Sequence, residues 1–180
     1  MERSLTHIAL FAALVAILGL VPQITLATGV PITAQSLGIM LCGTVLGAKR
    51  GALAVLLFLA LVATGLPLLS GGRGGLGVFV GPTVGFLIGF PIAAFVIGWL
   101  MERTTLPVGL AAGAASAIGG IAVLYLFGIA GMSVMLDKTP AEAAMLTGAF
   151  LPGDALKVVL AGFVTQAIAR MRPGALLSRA

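Results

Sequence analysis

Residues 148–171 read GAFLPGDALKVVLAGFVTQAIARM, an apolar run that carries two opposite charges, Asp154 and Lys157, near its start. A helix that spans a bilayer needs about 20 such residues, so the run is long enough to cross. A charge in the bilayer core costs about 2.5–3.5 kcal/mol, and such charges are therefore usually paired and functional. Because residues three apart share one face of a helix, Asp154 and Lys157 can meet. The run predicts a spanning helix with an ion pair near one end.

The same run also has a structural interpretation that needs no ligand. Pro152 suits the first turn of a helix, and an acid such as Asp154 in that turn complements the helix dipole. Lys157 would then extend to the membrane interface and keep its charge in water. Both interpretations remain open from this run alone.

The composition of the whole chain is that of an integral membrane protein. Of 180 residues, 60% are hydrophobic and 8% are charged, against roughly 25% charged residues in a soluble domain. No polar stretch is long enough for a second domain, so we expect residues 1–180 to form a single transmembrane domain. The net charge of +5 does not indicate nucleic-acid binding, because the basic residues punctuate the apolar runs.

The residue inventory argues against catalytic and metal chemistry. Cys42 is the only cysteine and His7 the only histidine, so neither an internal disulfide nor a cluster of histidine ligands is available. The phosphate-binding G-x-x-x-x-G-K-[ST] loop and the G-x-S-x-G nucleophile motif are absent from the sequence. We therefore expect no enzyme, no cofactor and no metal, and a transporter of this sequence would draw its energy from a partner or a gradient.

Six apolar runs are separated by loops that contain charges, glycine or proline. They cover Leu5–Val21, Ala34–Ala48, Ala52–Leu69, Val78–Met101, Leu106–Ile129 and Gly148–Met171. The expected fold is an all-α integral membrane protein with six transmembrane helices. The first run is near the lower length limit for a span, and its basic start also fits a cleaved secretory signal.

The longest loop, Gly131–Leu151, contains a helix-start signal of its own. Thr139-Pro140-Ala141-Glu142 fits a capping box with proline at the first helical position. Gly148 would end this helix near Leu146. We expect a short extra surface helix between spans five and six, placed where it could act as a lid.

Lysine and arginine positions predict the orientation, since cytoplasmic loops carry the excess of basic residues. With six spans and the N-terminus inside, one side collects Arg3, Lys49, Arg50, Arg103, Arg170, Arg172 and Arg179. The other side receives only Arg73 and Lys138. Both termini are therefore expected in the cytoplasm, and the Pro22–Thr33 loop, Arg73, Lys138 and the Asp154 end of span six are expected to face outward.

Small residues recur four apart in the first run, at Ala9 and Ala13 and at Ala12 and Ala16. Such spacing makes a smooth helix face that a second helix can approach closely. That second helix could belong to this chain or to a partner subunit, and the spacing alone leaves both alternatives open.

Several short segments occur in one order along the chain and carry a family resemblance. They are Val30–Gln35 (VPITAQ), Leu46–Gly51 (LGAKRG), Gly65–Pro67 (GLP), Gly71–Gly75 (GGRGG), Gly81–Phe90 (GPTVGFLIGF) and Pro152–Lys157 (PGDALK). Together they resemble the BioY family, the biotin-binding S components of energy-coupling factor (ECF) vitamin transporters. Val84, where relatives often have glycine, and Phe58, where tyrosine is frequent, depart from the family pattern.

The resemblance implies a function and a set of partners. It implies a biotin-binding subunit of the bacterial cytoplasmic membrane that works with a transmembrane coupling subunit and two cytoplasmic ATPases. Ala9 and Ala13 would contact the coupling subunit, and Asp154 and Lys157 would bind biotin near the outer surface. A carrier that moves biotin without the ATPase module is the alternative within transport.

The chemistry of biotin suggests further candidates around the Asp154–Lys157 pair. Asp154 can accept hydrogen bonds from the ureido N–H groups, and Lys157 can donate to the ureido oxygen. Arg73 or Lys138 is a candidate for the carboxylate of the acid tail. Thr83, Thr33 and Gln35 offer neutral hydrogen bonds.

Overall fold

The computed structural model describes residues 2–25 and 31–179, with side chains for residues 4–23 and 32–179. Residues 26–30 of the predicted Pro22–Thr33 connection therefore lie outside the described residues, as do the side chains of residues 24–31 and of Arg3. The described chain is helical apart from its loops and one two-residue strand pair, β1 (Ile24–Thr25) and β2 (Pro31–Ile32), which runs antiparallel.

Seven helices follow one another along the described chain. They are α1 (Glu2–Leu18), α2 (Gln35–Leu46), α3 (Ala48–Ala63), α4 (Val84–Arg103), α5 (Val108–Met135), α6 (Pro140–Gly148) and α7 (Leu151–Met171). A segment of α5, Ile118–Val123, has the wider turns of a π-helix. Short 3₁₀ turns occur at Leu76–Val80, Pro173–Ala175 and Leu177–Arg179.

Within the described residues, α4, α5 and α7 are long and apolar enough to span a membrane on their own. The first three helices are shorter, with 17, 12 and 16 residues. The fourth predicted run begins later as an α-helix, because Gly81 precedes Pro82 and takes an extended conformation with φ −117° and ψ 178°. The fifth extends to Met135, so the predicted Gly131–Leu151 loop is shorter than expected.

Helix α2 lies at the centre of the bundle. Ten of its 12 residues are buried, and it packs against α1, α3, α4 and α7. A helix that is apolar on every side requires such surroundings. Its N-terminal turn therefore sits among the ends of the other helices, which is where the polar residues of the candidate site occur.

A single glycine joins α2 to α3. Gly47 has φ +84°, a backbone conformation that residues other than glycine rarely adopt, and a Cβ there would also collide with the side chain of Glu102. The Glu102 carboxylate instead accepts a hydrogen bond of 2.8 Å from the Ala48 amide at the start of α3. This turn places Lys49 and Arg50 at one end of the bundle, where Arg50 Nε donates to Ser4 Oγ over 2.8 Å.

The C-terminal residues fold back over that same end. Ser178 Oγ donates to the Thr44 carbonyl oxygen over 2.5 Å, and Arg179 donates to the carbonyl oxygens of Thr104 and Leu106. Beneath them, Thr165 of α7 donates to Thr44 Oγ1 of α2 over 2.9 Å. The tail thereby closes the end of the bundle at which α2 meets α3 and α4 meets α5.

The capping box predicted for the extra helix is confirmed. The Glu142 amide donates to Thr139 Oγ1 over 3.3 Å, and the Thr139 amide donates to the Glu142 carboxylate over 2.8 Å. The helix ends at Gly148, one half-turn later than predicted. It packs against the C-terminal part of α5, so its position next to the start of α7 is fixed.

Candidate functional site

A cavity opens at the end of the bundle where α2, α4 and α7 begin. Its volume is about 580 Å³, a figure that includes the space open to solvent at its mouth. It is lined by Ile32, Thr33, Gln35, Ser36, Leu69, Arg73, Thr83, Phe86, Leu87, Phe90, Leu124, Phe150, Asp154 and Lys157. All six residues proposed from the sequence as substrate-binding therefore line one cavity, although they come from four separate parts of the chain.

The two charges of α7 form an ion pair at the cavity wall. Lys157 Nζ lies 2.8 Å from Asp154 Oδ1, and only 13% and 7% of the two side chains are exposed. Asp154 is in the first turn of α7, so it also complements the helix dipole. Lys157, however, turns inward to the carboxylate, and the interpretation in which it extends to the membrane interface is wrong.

Two residues that the sequence did not single out complete the charged cluster. Tyr125 of α5 donates its hydroxyl to Asp154 Oδ2 over 2.8 Å, and Ser36 of α2 donates to Asp154 Oδ1 over 3.1 Å. Lys157 Nζ also donates to Ser36 Oγ over 2.9 Å. Tyr125 is the only tyrosine of the chain, and its polar hydroxyl within an apolar run was the sequence feature that could have marked it as a site residue. Ser36 gave no signal beyond its place beside Gln35.

The hydrogen bonds of the cluster leave a small, defined capacity for a ligand. Asp154 accepts three bonds out of roughly four that a carboxylate can accept. Lys157 donates two of its three N–H groups, to Asp154 and Ser36. One acceptor position on Asp154 Oδ2 and one donor on Lys157 remain for a molecule in the cavity.

Gln35 lines the cavity but uses its amide within the protein. Its Nε2 donates to the carbonyl oxygens of Val15 and Leu68, and its Oε1 accepts from the Ser70 amide over 3.0 Å. The side chain is almost completely buried, with 2% exposed. Gln35 thus ties α1 and the loop after α3 to the start of α2, and its expected role as a free hydrogen-bonding group is replaced by a structural one.

Arg73 is a half-buried cation at the mouth of the cavity. Its Nε donates to the Ser70 carbonyl oxygen over 3.2 Å, and the Leu69 amide donates to the Arg73 carbonyl oxygen over 3.0 Å. Burial lowers the pKa of the Arg73 guanidinium from its ordinary value, because desolvation disfavours the charged form. Arginine stays protonated at physiological pH in spite of such a shift. Lys138, the other candidate for an acid tail, is exposed and is not a lining residue.

Two threonines add neutral hydroxyl groups. Thr83, in the turn before α4, is buried and lines the cavity. Thr33 Oγ1 accepts a hydrogen bond from the Gln35 amide over 3.2 Å, so its own hydroxyl proton is available. Opposite these groups, Phe86 and Phe150 meet edge to face with ring centroids 5.9 Å apart and supply an apolar wall.

The small residues of α1 divide between two faces. Ala12 is buried and Ala16 half-buried against the rest of the chain, whereas Ala9 and Ala13 are exposed. Ala9 and Ala13 are therefore accessible to a second helix, and their contact with a partner subunit stays a prediction. Among the described residues, no group of three histidine, cysteine or acidic side chains comes together that could hold a metal ion.

Comparison with known proteins gives consistent matches over nearly the whole chain. Residues 2–174 match the model of the BioY family. The chain is 54% identical to the biotin transporter BioY of Rhodobacter capsulatus, over 99% of this chain and 100% of that protein, and 49% identical to the biotin transporter BioY of Rhizobium etli, over 92% of each. It superposes with TM-score 0.89 and 30% identity on a crystal structure of the S-component for biotin from an ECF-type ABC transporter, covering 94% of this chain and 92% of that one.

The apolar helices of the bundle and the matches to transporters define a membrane protein of the transporter class, and its named relatives are transporters and not enzymes. The family resemblance seen in the sequence motifs is confirmed by these matches. The chain belongs to the BioY family.

Proposed function

We propose that this protein is the biotin-binding membrane subunit of a vitamin uptake system. The observation that carries the proposal is the buried Asp154–Lys157 pair, which keeps one acceptor and one donor free at the wall of a cavity. The names of the relatives, which are biotin transporters and an S-component for biotin, support the same ligand.

The ureido ring of biotin matches this free capacity. One ureido N–H can donate to Asp154 Oδ2, and the ureido oxygen can accept from Lys157 Nζ. Both bonds involve a charged partner, which makes them stronger than neutral hydrogen bonds. A ligand without the ureido ring would leave two buried charged groups unpaired, so the pair also supplies selectivity.

The remaining lining residues fit the other parts of biotin. Phe86, Phe90 and Leu124 offer an apolar enclosure for the thioether ring and the tail. Arg73 at the mouth meets the carboxylate at the end of the tail, and Thr83 and Thr33 supply neutral bonds. Gln35 contributes indirectly, because it fixes the wall that carries these groups.

We further propose that the chain forms one transmembrane domain with six spans in the cytoplasmic membrane of a bacterium. Both termini would lie in the cytoplasm. The support is the distribution of charge between the two ends of the bundle. Lys49, Arg50, Arg103, Arg170 and Arg179 lie at or near the end closed by the C-terminal tail, while Arg73 and Lys138 lie at the cavity end. By the positive-inside rule, the cavity faces outward.

Energy for uptake would come from a transmembrane coupling subunit and two ATPase subunits of an ECF module. The exposed face of α1 with Ala9 and Ala13 is the surface that we assign to the coupling subunit, because small side chains let a second helix approach closely. We expect Ala9→Trp or Ala13→Trp to abolish co-purification with the module and to leave biotin binding intact. Lost biotin binding in a folded variant would contradict this assignment.

Titration of the detergent-purified chain with biotin tests the proposed function. We expect saturable binding of biotin and at least tenfold weaker binding of the thioether-ring acid that remains when the ureido ring is removed. Equal affinity for the two molecules would contradict the proposed site. Uptake by the chain alone in vesicles without an ATPase would favour the alternative, a self-sufficient biotin carrier.

A further inference from the structure

The π-helical segment of α5 keeps one face of that helix turned inward along its length. Buried residues recur every four positions: Ala112, Ser116, Gly120, Leu124, Gly128 and Met132. On a regular α-helix each step of four drifts by about 40°, so these five steps would drift by about 200° around the axis. A π-helical turn accommodates about one extra residue, which removes roughly 100° of that drift.

The segment is held in place by its neighbours. A side chain at Gly119 would collide with Ile97 of α4, and one at Gly120 would collide with Met40 of α2. Both glycines are buried, so the wide turns of Ile118–Val123 are packed directly against two helices. The rotation of the residues that follow is consequently fixed.

Tyr125 is the second residue after this segment. Its ring packs beside the buried cluster of Met132, Ala143 and Phe150, and its hydroxyl reaches Asp154 Oδ2 over 2.8 Å. Tyr125 is not itself a lining residue of the cavity. Without the extra residue of the π segment, its side chain would point roughly 100° away from Asp154.

The hydroxyl acts on the orientation of the Asp154 carboxylate. Ser36 and Lys157 both hold Oδ1, so Tyr125 is the only described side chain that bonds Oδ2, the oxygen that keeps an acceptor position for the ligand. A carboxylate held at one oxygen alone is free to rotate about its terminal bond. Held at both oxygens, it presents its remaining lone pair in one direction.

We infer that Tyr125, set in register by the π segment of α5, is a positioning residue that fixes the Asp154 carboxylate and thereby sets the selectivity of the cavity for a ligand with an N–H group beside a carbonyl. The inference rests on the proposed function for the identity of the ligand. The contact between Tyr125 and Asp154 does not depend on it.

Tyr125→Phe tests the role in selectivity. We expect the Kd for biotin to rise about tenfold, while the Kd of the analogue without the ureido ring changes little. The selectivity ratio, which is the Kd of the analogue divided by the Kd for biotin, should therefore fall about tenfold. Thr165→Val is the matched control, because it removes a buried hydroxyl bond on α7 that is remote from the cavity, and we expect it to leave the ratio unchanged. If Tyr125→Phe raises both Kd values equally, Tyr125 contributes packing only and the inference is overturned.

A spectroscopic measurement separates this inference from the proposed function. Because Tyr125 is the only tyrosine, tyrosine labelled with carbon-13 at Cζ gives a single NMR signal. We expect the signal to shift in Asp154→Asn and to stay in place in Thr165→Val. A signal that does not shift in Asp154→Asn overturns the inference, whether or not the wild-type protein binds biotin. A signal that shifts, in a wild-type protein that does not bind biotin, upholds the contact between Tyr125 and Asp154 and rejects the proposed ligand.

Deletion of Ala122, an exposed residue of the π segment, tests the role of the register. We expect the tyrosine signal of the folded deletion variant to move to the position seen in Asp154→Asn. A folded variant that keeps the wild-type signal would show that the π segment does not set the position of Tyr125. If the deletion prevents folding, one alanine is inserted after the exposed Ala130 in the deletion background, which restores the register of the helix beyond Tyr125 while Tyr125 itself stays shifted. A tyrosine signal at the position seen in Asp154→Asn then upholds the assignment, and a signal at the wild-type position overturns it.

Discussion

At the cavity end of the bundle, Asp154 and Lys157 keep an acceptor and a donor free, whereas at the opposite end Ser178 and Arg179 donate to backbone carbonyls of their own chain. Both ends contain hydroxyl, carboxylate and cationic side chains, so the types of residue do not distinguish them. What differs is the capacity that is left for a ligand. Ser178 and Arg179 bond the chain's own backbone and close one end, whereas the Asp154–Lys157 pair at the other end keeps an acceptor and a donor for a molecule in the cavity.

The two ends also differ in what a substitution can remove. A bond such as the one from Ser178 to Thr44 contributes about 1 kcal/mol to stability, and its loss exposes one neutral group. The Asp154–Lys157 pair is buried, so removal of one member leaves an uncompensated charge. Substitutions at the cavity end should therefore change both stability and binding, while those at the closed end should change stability alone.

The largest effect is expected for Lys157→Met. Loss of the ammonium group leaves Asp154 charged and buried, which typically costs about 3–5 kcal/mol of stability. We expect a large fall in the thermal unfolding temperature in detergent and no measurable biotin binding. In the double variant Asp154→Asn with Lys157→Met, we expect much of the stability to return without binding. A double variant as unstable as Lys157→Met would show that the ion pair is not the source of the cost.

Asp154→Asn is expected to have the next largest effect on binding. Biotin affinity should fall by about 1.5–3 kcal/mol, the contribution of a hydrogen bond to a charged group. Ser178→Ala serves as the control from the closed end, with about 1 kcal/mol lower stability and unchanged affinity. Isothermal titration and thermal unfolding measure the two quantities. Unchanged affinity in folded Asp154→Asn would remove Asp154 from the site.

A smaller effect is expected for Arg73→Gln. The guanidinium is half-buried and partly screened by solvent, so the Kd for biotin should rise only about tenfold. Biotin methyl ester lacks the carboxylate charge and should bind wild type and variant with similar affinity. If the variant binds the ester as poorly as it binds biotin, Arg73 supports the loop and does not contact the acid tail.

The smallest effect concerns Glu142, on the surface helix beside the cavity. Hydrogen bonds from the Thr139 side chain, then from its amide, lower the pKa of the Glu142 carboxyl from its ordinary value. A lowered folded-state pKa stabilises the protein above the unfolded pKa of about 4.3, and this contribution disappears as pH falls through the lowered value. The stability difference between wild type and Glu142→Gln should therefore shrink on acidification. A difference that grows on acidification in thermal unfolding would contradict the capping arrangement.

The parts of the site that were predictable from the sequence depend on local spacing. The pairing of Asp154 with Lys157 follows from their separation by three residues, and the start of α6 follows from the Thr139–Glu142 capping box. Tyr125 could not be assigned in this way, because its contact with Asp154 joins two helices and depends on a π segment that residue periodicity does not reveal. Gln35 was assigned a ligand role because its amide offers neutral hydrogen bonds, and its internal partners, the carbonyl oxygens of Val15 and Leu68, were not predictable because they are distant in sequence.

The six-helix expectation illustrates the same limit. Charge and hydropathy located every apolar run, but they did not show that α2 has only 12 residues and is surrounded by other helices of the chain. The length of a buried central helix is set by its neighbours and by the single-residue turn at Gly47, which are tertiary features. The run Ala34–Ala48 was thus identified correctly as a helix, while its surroundings were not predictable.

The central claim is that the Asp154–Lys157 pair binds the ureido head of biotin at the open end of the bundle, and a structure determined with biotin bound tests it most directly. We predict a ureido nitrogen about 2.9 Å from Asp154 Oδ2, with the ureido oxygen at hydrogen-bonding distance from Lys157 Nζ and the acid tail directed to Arg73. Biotin bound elsewhere, or bound in this cavity with its ureido ring away from both charged groups, would contradict the claim.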